Sequence, residues 1–566
     1  MTLLSRFSLS SKGGSSDSTL PTLASDSDDD SLSSGSAELV LRRPSRADFF
    51  LEPRVSHGAQ SLPVQLHARK FLKFLILVPI SAVAMMCFSA LYVTPLLRAQ
   101  GVYTFFEESL WRTLRTHQSS FCLLVVLPLL LALCWDILQE GLTMLMLWRG
   151  RGRRLLPNDR HRLVHAIIVC NYKEPVEVLR ATIESIAENT LAENCMVVLA
   201  CEERDSHAEA TFQELRADFP EVFRKFVMTR HQLVKGEVVG KSSNENFACR
   251  EVYRMAQEEG LDPFNVMVTT CDADSLFDRV YFEQLEAEFC RMPDGRRFIY
   301  NAPINTYRNL PECNLMVKIF EISRCQFDCF RGFNFRPAQS NYSLTLGFAN
   351  EIGFWDPSNT SEDFHTTIKA MAVTGKGTHV VVPVWSFILN DSVCSFYDRW
   401  VQAKRHMWGI EEVAFTVLLY PTLRINLWLR LFGMVATQMF STCTPPFLYV
   451  VFPTVRDIFW SFRPETQRVL VGLVLARVVY SWAKTMLREV FLYRCILNNR
   501  KLMMPRSWCE WIQIATVWPV LSELSVVVFA CLATWRVLLH AVFHETLHYV
   551  TAPKALSVQQ QPKKAM

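Results

Sequence analysis

The sequence predicts an α/β domain with a parallel sheet, inserted between apolar helices that cross a membrane. Three observations predict it. Apolar strand-like runs alternate with amphipathic helical stretches between residues 160 and 420, as in Ala166-Ile167-Ile168-Val169, Val197-Val198-Leu199-Ala200 and Val266-Met267-Val268. Long apolar runs flank that region on both sides. The whole 566-residue chain is 50% hydrophobic and 20% charged. Its mean hydropathy is +0.12, and a purely soluble chain seldom averages above zero.

Taken in order, residues 1–66 form a Ser-rich cytosolic tail. Thirteen of the first 36 residues are Ser, and Asp28, Asp29 and Asp30 sit among them. That composition cannot bury a core, so disorder is expected, and no apolar run near Met1 suggests a cleaved signal peptide. Residues 67–155 are expected to form a two-helix transmembrane hairpin. Residues 74–97 are uncharged, long enough for a hydrocarbon core of about 30 Å, and preceded by Arg69, Lys70 and Lys73. A second run, 119–148, ends at Arg149, Arg151, Arg153 and Arg154. Both basic flanks face the cytosol under the positive-inside rule. Asp136 and Glu140 share a face of the second helix and are expected at the cytosolic interface rather than in a polar pathway.

Residues 156–425 are then a cytosolic domain, and residues 426–540 return to transmembrane or interfacial helices. Residues 431–455 are uncharged; 469–483 are interrupted by Arg477; 511–535 carry one acid, Glu523. Pairing of Arg477 with Glu523 is one expectation, snorkelling of either the other. Lys484, Arg488, Arg494, Arg500, Lys501 and Arg506 place the last loop in the cytosol. Residues 541–566 are a tail. It ends Lys563-Lys564-Ala565-Met566, like a dilysine retrieval signal, which five spans would put on the wrong side. An accidental match is preferred.

A net charge of +4 without a basic stripe argues against nucleic acid. The 17 cysteines are scattered through apolar runs and suit buried thiols better than a disulfide framework. Cys325 and Cys329 have no second pair at zinc spacing. His544-Glu545-Thr546-Leu547-His548 fits a zinc-hydrolase pattern, but no domain follows to form a cleft, so an interfacial helix is preferred. Asn341 and Asn359 lie in glycosylation sequons that a cytosolic domain would leave unused.

Four segments carry chemistry. Cys271-Asp272-Ala273-Asp274-Ser275 directly follows a strand, where open α/β sheets bind ligands, and two carboxylates at i and i+2 suit a hard divalent cation bridging a diphosphate. Gly240-Lys241-Ser242-Ser243-Asn244 precedes a helix and offers a cation to phosphate. Gly236 to Gly240 is one residue too short for a Walker loop. Thr360-Ser361-Glu362-Asp363 offers a general base, and serves equally as a helix N-cap with acids in the first turn. Gln402-Ala403-Lys404-Arg405-His406-Met407-Trp408 offers a cation for a leaving phosphate and aromatics for a sugar face.

In this order the four segments resemble the membrane-bound family 2 glycosyltransferases, to which cellulose, chitin and hyaluronan synthases belong and of which ceramide glucosyltransferase is a close relative. The resemblance covers roughly residues 160–425 and the flanking helices. It implies a Rossmann-like GT-A fold, a nucleotide-sugar donor, a divalent cation (Mn2+ or Mg2+) and inversion at the anomeric centre. It assigns Asp272 and Asp274 to the metal, Asp363 with Glu362 to catalysis, and Tyr172, Glu174, Glu202, Lys241, Asn244, Gln402 and Arg405 to the donor. Tyr342, His406 and Trp408 fall to the acceptor, the stretches 339–344 and 353–357 resembling the acceptor side of a little-characterised branch. Two departures stand out. Where the family has Asp at the second strand end, this chain has Glu202 and Glu203. Where it has Trp after the motif Arg, this chain has His406, with Trp408 two residues on.

The expected product is a polysaccharide built from a UDP-sugar, in the Golgi, endoplasmic reticulum or plasma membrane. A single-transfer glycolipid synthase with a ceramide or polyprenol acceptor is the alternative, and an inactive donor-sensing scaffold the non-enzyme reading. Two plus three helices are few to line a polymer channel, which leaves interfacial helices, a homo-oligomer, a partner membrane subunit or lipid acceptors open.

Overall fold

The computed structural model describes residues 116–150, 163–330, 337–419, 462–496 and 506–543, with residues 112, 113, 425 and 460 beside them. The expected tail 1–66, the runs 74–97 and 431–455, the His544–His548 motif and the terminal lysines lie outside the described residues.

A long helix, α1 (Gln118–Gly150), precedes the central domain. The domain then alternates strand and helix: β1 (Val164–Asn171), α2 (Val176–Ala187), β2 (Cys195–Glu202), α3 (Ala208–Asp218), β3 (Lys225–His231), α4 (Lys241–Glu258) and β4 (Val266–Asp272). Shorter pieces follow: β5 (Leu276–Phe277), α5 (Tyr281–Arg291), β6 (Ile299–Asn301), β7 (Ile304–Asn305), α6 (Leu315–Cys329), β8 (Tyr342–Thr345), α7 (Leu346–Glu351), α8 (Glu362–Thr374), β9 (Val381–Pro383) and β10 (Ile388–Leu389). The chain ends in α9 (Phe396–Leu419), α10 (Pro464–Ile496), α11 (Trp508–Val526), a π-helical turn Val527–Leu532, and α12 (Ala533–Phe543).

The main sheet has seven strands in the order β3-β2-β1-β4-β8-β6-β9. β3, β2, β1 and β4 are mutually parallel, as the sequence predicts. β8 runs antiparallel to both of its neighbours, so the sheet is mixed rather than wholly parallel. Tyr342-Ser343-Leu344-Thr345 is buried throughout. A second sheet, β5-β10-β7, carries three two-residue strands.

The period of two along β1 explains the layering. Ala166 and Ile168 join one core with Ala248, Cys249 and Val252 of α4. Ile167 and Val169 join the other with Leu179, Ile183 and Ile186 of α2 and Phe282 and Leu285 of α5. Burial on both faces is why these strands read as continuous apolar runs.

A third core lies apart from the main sheet. Val317, Ile319 and Ile322 of α6 meet Leu147 of α1, Leu492 of α10, Ile514 and Trp518 of α11, and Phe529. Polar pairs fix the same docking: Lys318 Nζ lies 2.8 Å from Glu510 Oε1. Gln326 Nε2 donates to Glu489 Oε2 at 3.1 Å. Arg506 pairs with Glu489, which also accepts from the Tyr307 hydroxyl at 2.5 Å.

Three helical stretches among the described residues are long and apolar enough to cross a membrane: Val126–Gly150, Pro464–Arg494 and Trp508–His540. The weak run 469–483 is thus the middle of a 33-residue helix. Arg477 does not break it, because its charge is met by Asp136 of α1 at 3.7 Å rather than by Glu523. Lys484 Nζ reaches Asp136 Oδ2 at 2.7 Å, and Arg488 Nε reaches Glu140 Oε1 at 2.7 Å. The two α1 acids therefore cross-link α1 to α10.

Cys325 and Cys329 are buried in the core. Both sequon residues are buried, Asn341 at 0% and Asn359 at 2% exposure, leaving no room for a glycan.

Candidate active site

The carboxyl ends of the parallel strands build one wall of a cleft of about 460 Å³. Strand register puts Cys170 beside Asp272 and Asn171 beside Cys201. Asn171, Glu202, Asp272, Ala273 and Asp274 consequently line one edge. α4 points its N-terminus at the same edge. Its first turn begins after Gly240, whose φ of 147° favours a residue without Cβ.

Lys241 is the centre of that wall. Its Nζ lies 2.8 Å from Asp272 Oδ1, 3.3 Å from Glu362 Oε1 and 3.4 Å from Glu245 Oε1, and donates to the Ser340 carbonyl at 2.7 Å. Burial opposes its charge, but Asp272, Glu245 and Glu362 outweigh burial and hold the ammonium well above the usual lysine range. The same crowding acts on the acids. Burial, with Asp363 and Asp272 adding to it and Lys241 opposing, pushes the Glu362 carboxyl up to about 7. Burial also raises Asp363, against backbone N–H donors from Phe364 at 2.8 Å and Ser340 at 3.2 Å. A buried, oriented carboxylate with a raised pKa is a stronger base than an exposed one.

Asp272 and Asp274 are set by the loop after β10. Asn390 Nδ2 donates to Asp272 Oδ2 at 3.4 Å and to Ser275 Oγ at 3.0 Å. Asn341 Nδ2 donates to Ser275 Oγ at 2.8 Å and to Asn390 Oδ1 at 3.2 Å, while Asn341 Oδ1 accepts from Asp272 N at 2.9 Å. Asp391 N donates to Asp274 Oδ2 at 3.3 Å. Among the described residues no cluster of three or more His, Cys, Asp or Glu forms a protein-only metal site. Two carboxylates alone fit a hard cation that completes its shell with phosphate oxygens and water.

The opposite wall is helical. Gln402, Arg405 and His406 of α9 and Arg324 of α6 line it. Gln402 Oε1 accepts from Arg399 Nη1, and Arg399 Nη1 lies 2.9 Å from Glu321 Oε1. Burial, reinforced by Arg399, Arg405 and Arg324, holds the His406 imidazole well below its usual pKa, so it stands neutral.

Of the residues expected at the site, Tyr172, Glu174, Glu202, Lys241, Asn244, Asp272, Asp274, Glu362, Asp363, Gln402, Arg405 and His406 all line this one cleft. Tyr172 carries the Arg204 guanidinium over its ring at 4.0 Å, and Arg204 in turn pairs with Glu202. Glu203 is exposed and only its backbone is used, donating to the His231 carbonyl. Asn244 spends its Nδ2 on the Ala200 carbonyl at 2.7 Å, fastening α4 to β2. Two expected acceptor residues stand elsewhere. Tyr342 is fully buried in the core, where its hydroxyl accepts from Trp355 Nε1 at 2.6 Å. Trp408 is 7% exposed and packs edge-to-face on His540.

Sequence reasoning missed Arg324, Thr306 and the Asn390–Val393 loop, all of which line the cleft. The loop had a visible signal: Ser386-Phe387-Ile388-Leu389 is a short apolar run ending in three polar residues, the same strand-then-polar pattern that marked Asp272. Arg324 had none, since one Arg on an amphipathic helix reads as surface.

Residues 267–543 match the family model described as "Glycosyl transferase family group 2". Comparison with curated proteins gives no match. Among solved structures, the mannosyltransferase PcManGT from Pyrobaculum calidifontis, in complex with GDP-Man and Mn2+, is 12% identical. That likeness covers 66% of this chain and 97% of PcManGT at a TM-score of 0.38. TarS residues 1–349 from S. aureus are 12% identical over 64% of this chain and 90% of that one, with a TM-score of 0.28. At such identities and scores neither structure bears on this chain's chemistry. What the sequence itself carries is the match of residues 267–543, from β4 to the end of α12, to the group 2 glycosyl transferases.

Proposed function

We propose that this protein is an inverting, membrane-associated family 2 glycosyltransferase with a GT-A domain, moving a sugar from a nucleotide sugar, a UDP-sugar first, to a growing polysaccharide. One observation carries the reading. Four segments far apart in sequence, around Lys241, Asp272, Asp363 and Arg405, meet in a single cleft at the carboxyl ends of a parallel sheet. The match of residues 267–543 supports the same class.

The chemistry follows from the residues. Asp272 and Asp274 would hold a divalent cation, which when bound neutralises charge on a departing diphosphate. Arg405 adds fixed positive charge where that charge develops. Asp363, aimed by the backbone N–H groups of Ser340 and Phe364, takes the proton from the acceptor hydroxyl as its oxygen attacks the sugar carbon. A single displacement of this kind inverts the anomeric centre. Glu362, whose carboxyl is pushed up by burial, stands between Lys241 and the base. Lys241 is occupied by Asp272, Glu362 and the Ser340 carbonyl, which makes it a strut between the cation ligands and the base.

The apolar faces of α1, α10 and α11, with Leu131, Trp135, Val474, Leu475 and Val520 exposed, suit a lipid surface. The basic residues after α1 and α10 favour a cytosolic catalytic domain under the positive-inside rule. A single-transfer glycolipid product is the second reading. It is favoured by α6, which walls the cleft and also docks on α10 and α11, bringing an acceptor close to the apolar helices.

The test is purified full-length protein with a panel of UDP- and GDP-sugars, scored for donor turnover with manganese and with magnesium. Turnover of one donor with either ion is expected, and long product supports the polymer reading while one sugar on lipid supports the second. No turnover of any donor, with nucleotide still bound, would favour an inactive donor-sensing scaffold.

A further inference from the structure

The helical wall carries more positive charge than the reaction described above uses. Arg324, Arg399 and Arg405 come from two neighbouring helices. The carboxylate that holds the first two is Glu321, 1% exposed. Its Oε2 accepts from Arg324 Nε at 3.0 Å and Nη2 at 2.8 Å, and from Thr306 Oγ1 at 2.8 Å. Its Oε1 faces Arg399 Nη1 at 2.9 Å. The two guanidiniums keep Glu321 below the usual carboxylate range despite its burial. Asp328, one turn further along α6, is the second acid acting on Arg324.

Arg324 is the member of this group that reaches the cleft with part of its fork unused. Nε and Nη2 are pinned on Glu321, and its Nη1 makes no hydrogen bond to the described residues. Its side chain is 29% exposed, against 2% for Arg399. A short path also joins it to the expected cation ligands. Thr306, which bonds Glu321, accepts from Ser392 Oγ at 3.0 Å through its carbonyl, and the preceding residue, Asp391, donates its N–H to Asp274. Arg324 and Asp274 line the same cleft, which suits a diphosphate with one end on a cation and the other on a guanidinium.

We infer that Arg324, pre-oriented by Glu321, is a second arginine of the donor site and binds the diphosphate of the nucleotide sugar together with Arg405. The inference rests on the glycosyltransferase reading and extends it to a residue outside its four segments. Glu321 and Arg399 act through Arg324 and Gln402, so they are positioning residues.

The experiment is equilibrium binding of UDP and GDP, and of UMP and GMP, to the full chain in detergent with Mn2+. If the wild type binds none of these, the glycosyltransferase reading itself fails. If it binds a diphosphate, Arg324→Gln should weaken that binding about 10- to 100-fold, the loss of charge-assisted hydrogen bonds, and change monophosphate binding less than 3-fold. Arg324→Lys, which keeps the charge and the packing but not the fork, should lose about 3- to 10-fold, and decides the matter if the Gln variant does not fold. Unchanged diphosphate binding in the Lys variant and in any folded Gln variant overturns the inference. Equal loss of mono- and diphosphate does so too. A changed acceptor KM with diphosphate binding intact would assign Arg324 to the acceptor instead, and equally overturns it.

Discussion

The two walls of the cleft are built on opposite plans. The sheet wall gathers Asp272, Glu245 and Glu362 around the ammonium of Lys241, with Asp274 and Asp363 lining the same cleft. The helical wall gathers Arg324 and Arg399 around one carboxylate, Glu321, with Arg405 nearby. The acids hang from the end of β4 and the first turns of α4 and α8, and hydrogen bonds from Asn390, Asp391 and Ser340 aim three of them. The arginines hang from α6 and α9, and α6 is fastened to α10 and α11 by a shared apolar core, the Lys318–Glu510 ion pair and the Gln326–Glu489 hydrogen bond. A bipolar cleft of this kind accepts a cation and an anion together, which is what a metal-bound diphosphate is. The contrast also separates two kinds of residue: those whose loss removes chemistry, and those whose loss loosens the frame.

That separation can be broken or sharpened by substitution, the largest effect first. Asp274→Asn on the sheet wall should cut sugar transfer by about 10³-fold, the scale of a lost Lewis-acid site, with little change in thermal stability. Retained rate with retained metal dependence would remove Asp274 from the cation site. Glu321→Gln on the helical wall should lower stability as well as loosen Arg324. It leaves Arg399, 2% exposed, without its carboxylate, and should cost about 3–5 kcal/mol of stability, read as a lowered unfolding midpoint in detergent. An unchanged midpoint would mean that the pair is not what holds α9 on α6. Arg405→Ala should lower kcat by about 10²-fold while the unfolding midpoint stays put, since it lines the cleft and serves chemistry. Asn390→Ala should weaken apparent Mn2+ affinity about 10-fold, because Asn390 aims Asp272 without touching the ion.

The difference between the walls is also a difference in what a sequence displays. Val266–Thr270 followed by Asp272 and Asp274 is legible because strand, turn and ligand are contiguous, and the same holds for Gly240-Lys241 before α4. The alternation of β1, α2, β2 and β4 was legible for the same reason, while antiparallel β8 was not, since a four-residue strand says nothing of its direction. The wall formed by α6 was illegible. Glu321 and Arg324 look like an ordinary i, i+3 surface pair, and only the packing of α6 between the cleft and α10 buries the acid and turns the arginine inward. Tyr342 shows the converse error of emphasis: the family resemblance assigns it to the acceptor, whereas β8 runs through the middle of the sheet and buries it. The sequence leaves Arg477 to pair with Glu523 or to snorkel, and in three dimensions it meets Asp136 of α1 instead.

The most direct test of the account is Asp363→Asn, assayed for sugar transfer at saturating donor beside equilibrium binding of the same nucleotide. The account predicts transfer lowered by about 10²- to 10⁴-fold, the contribution of a general base, with nucleotide affinity unchanged. Full transfer by the Asn variant under those conditions would contradict it.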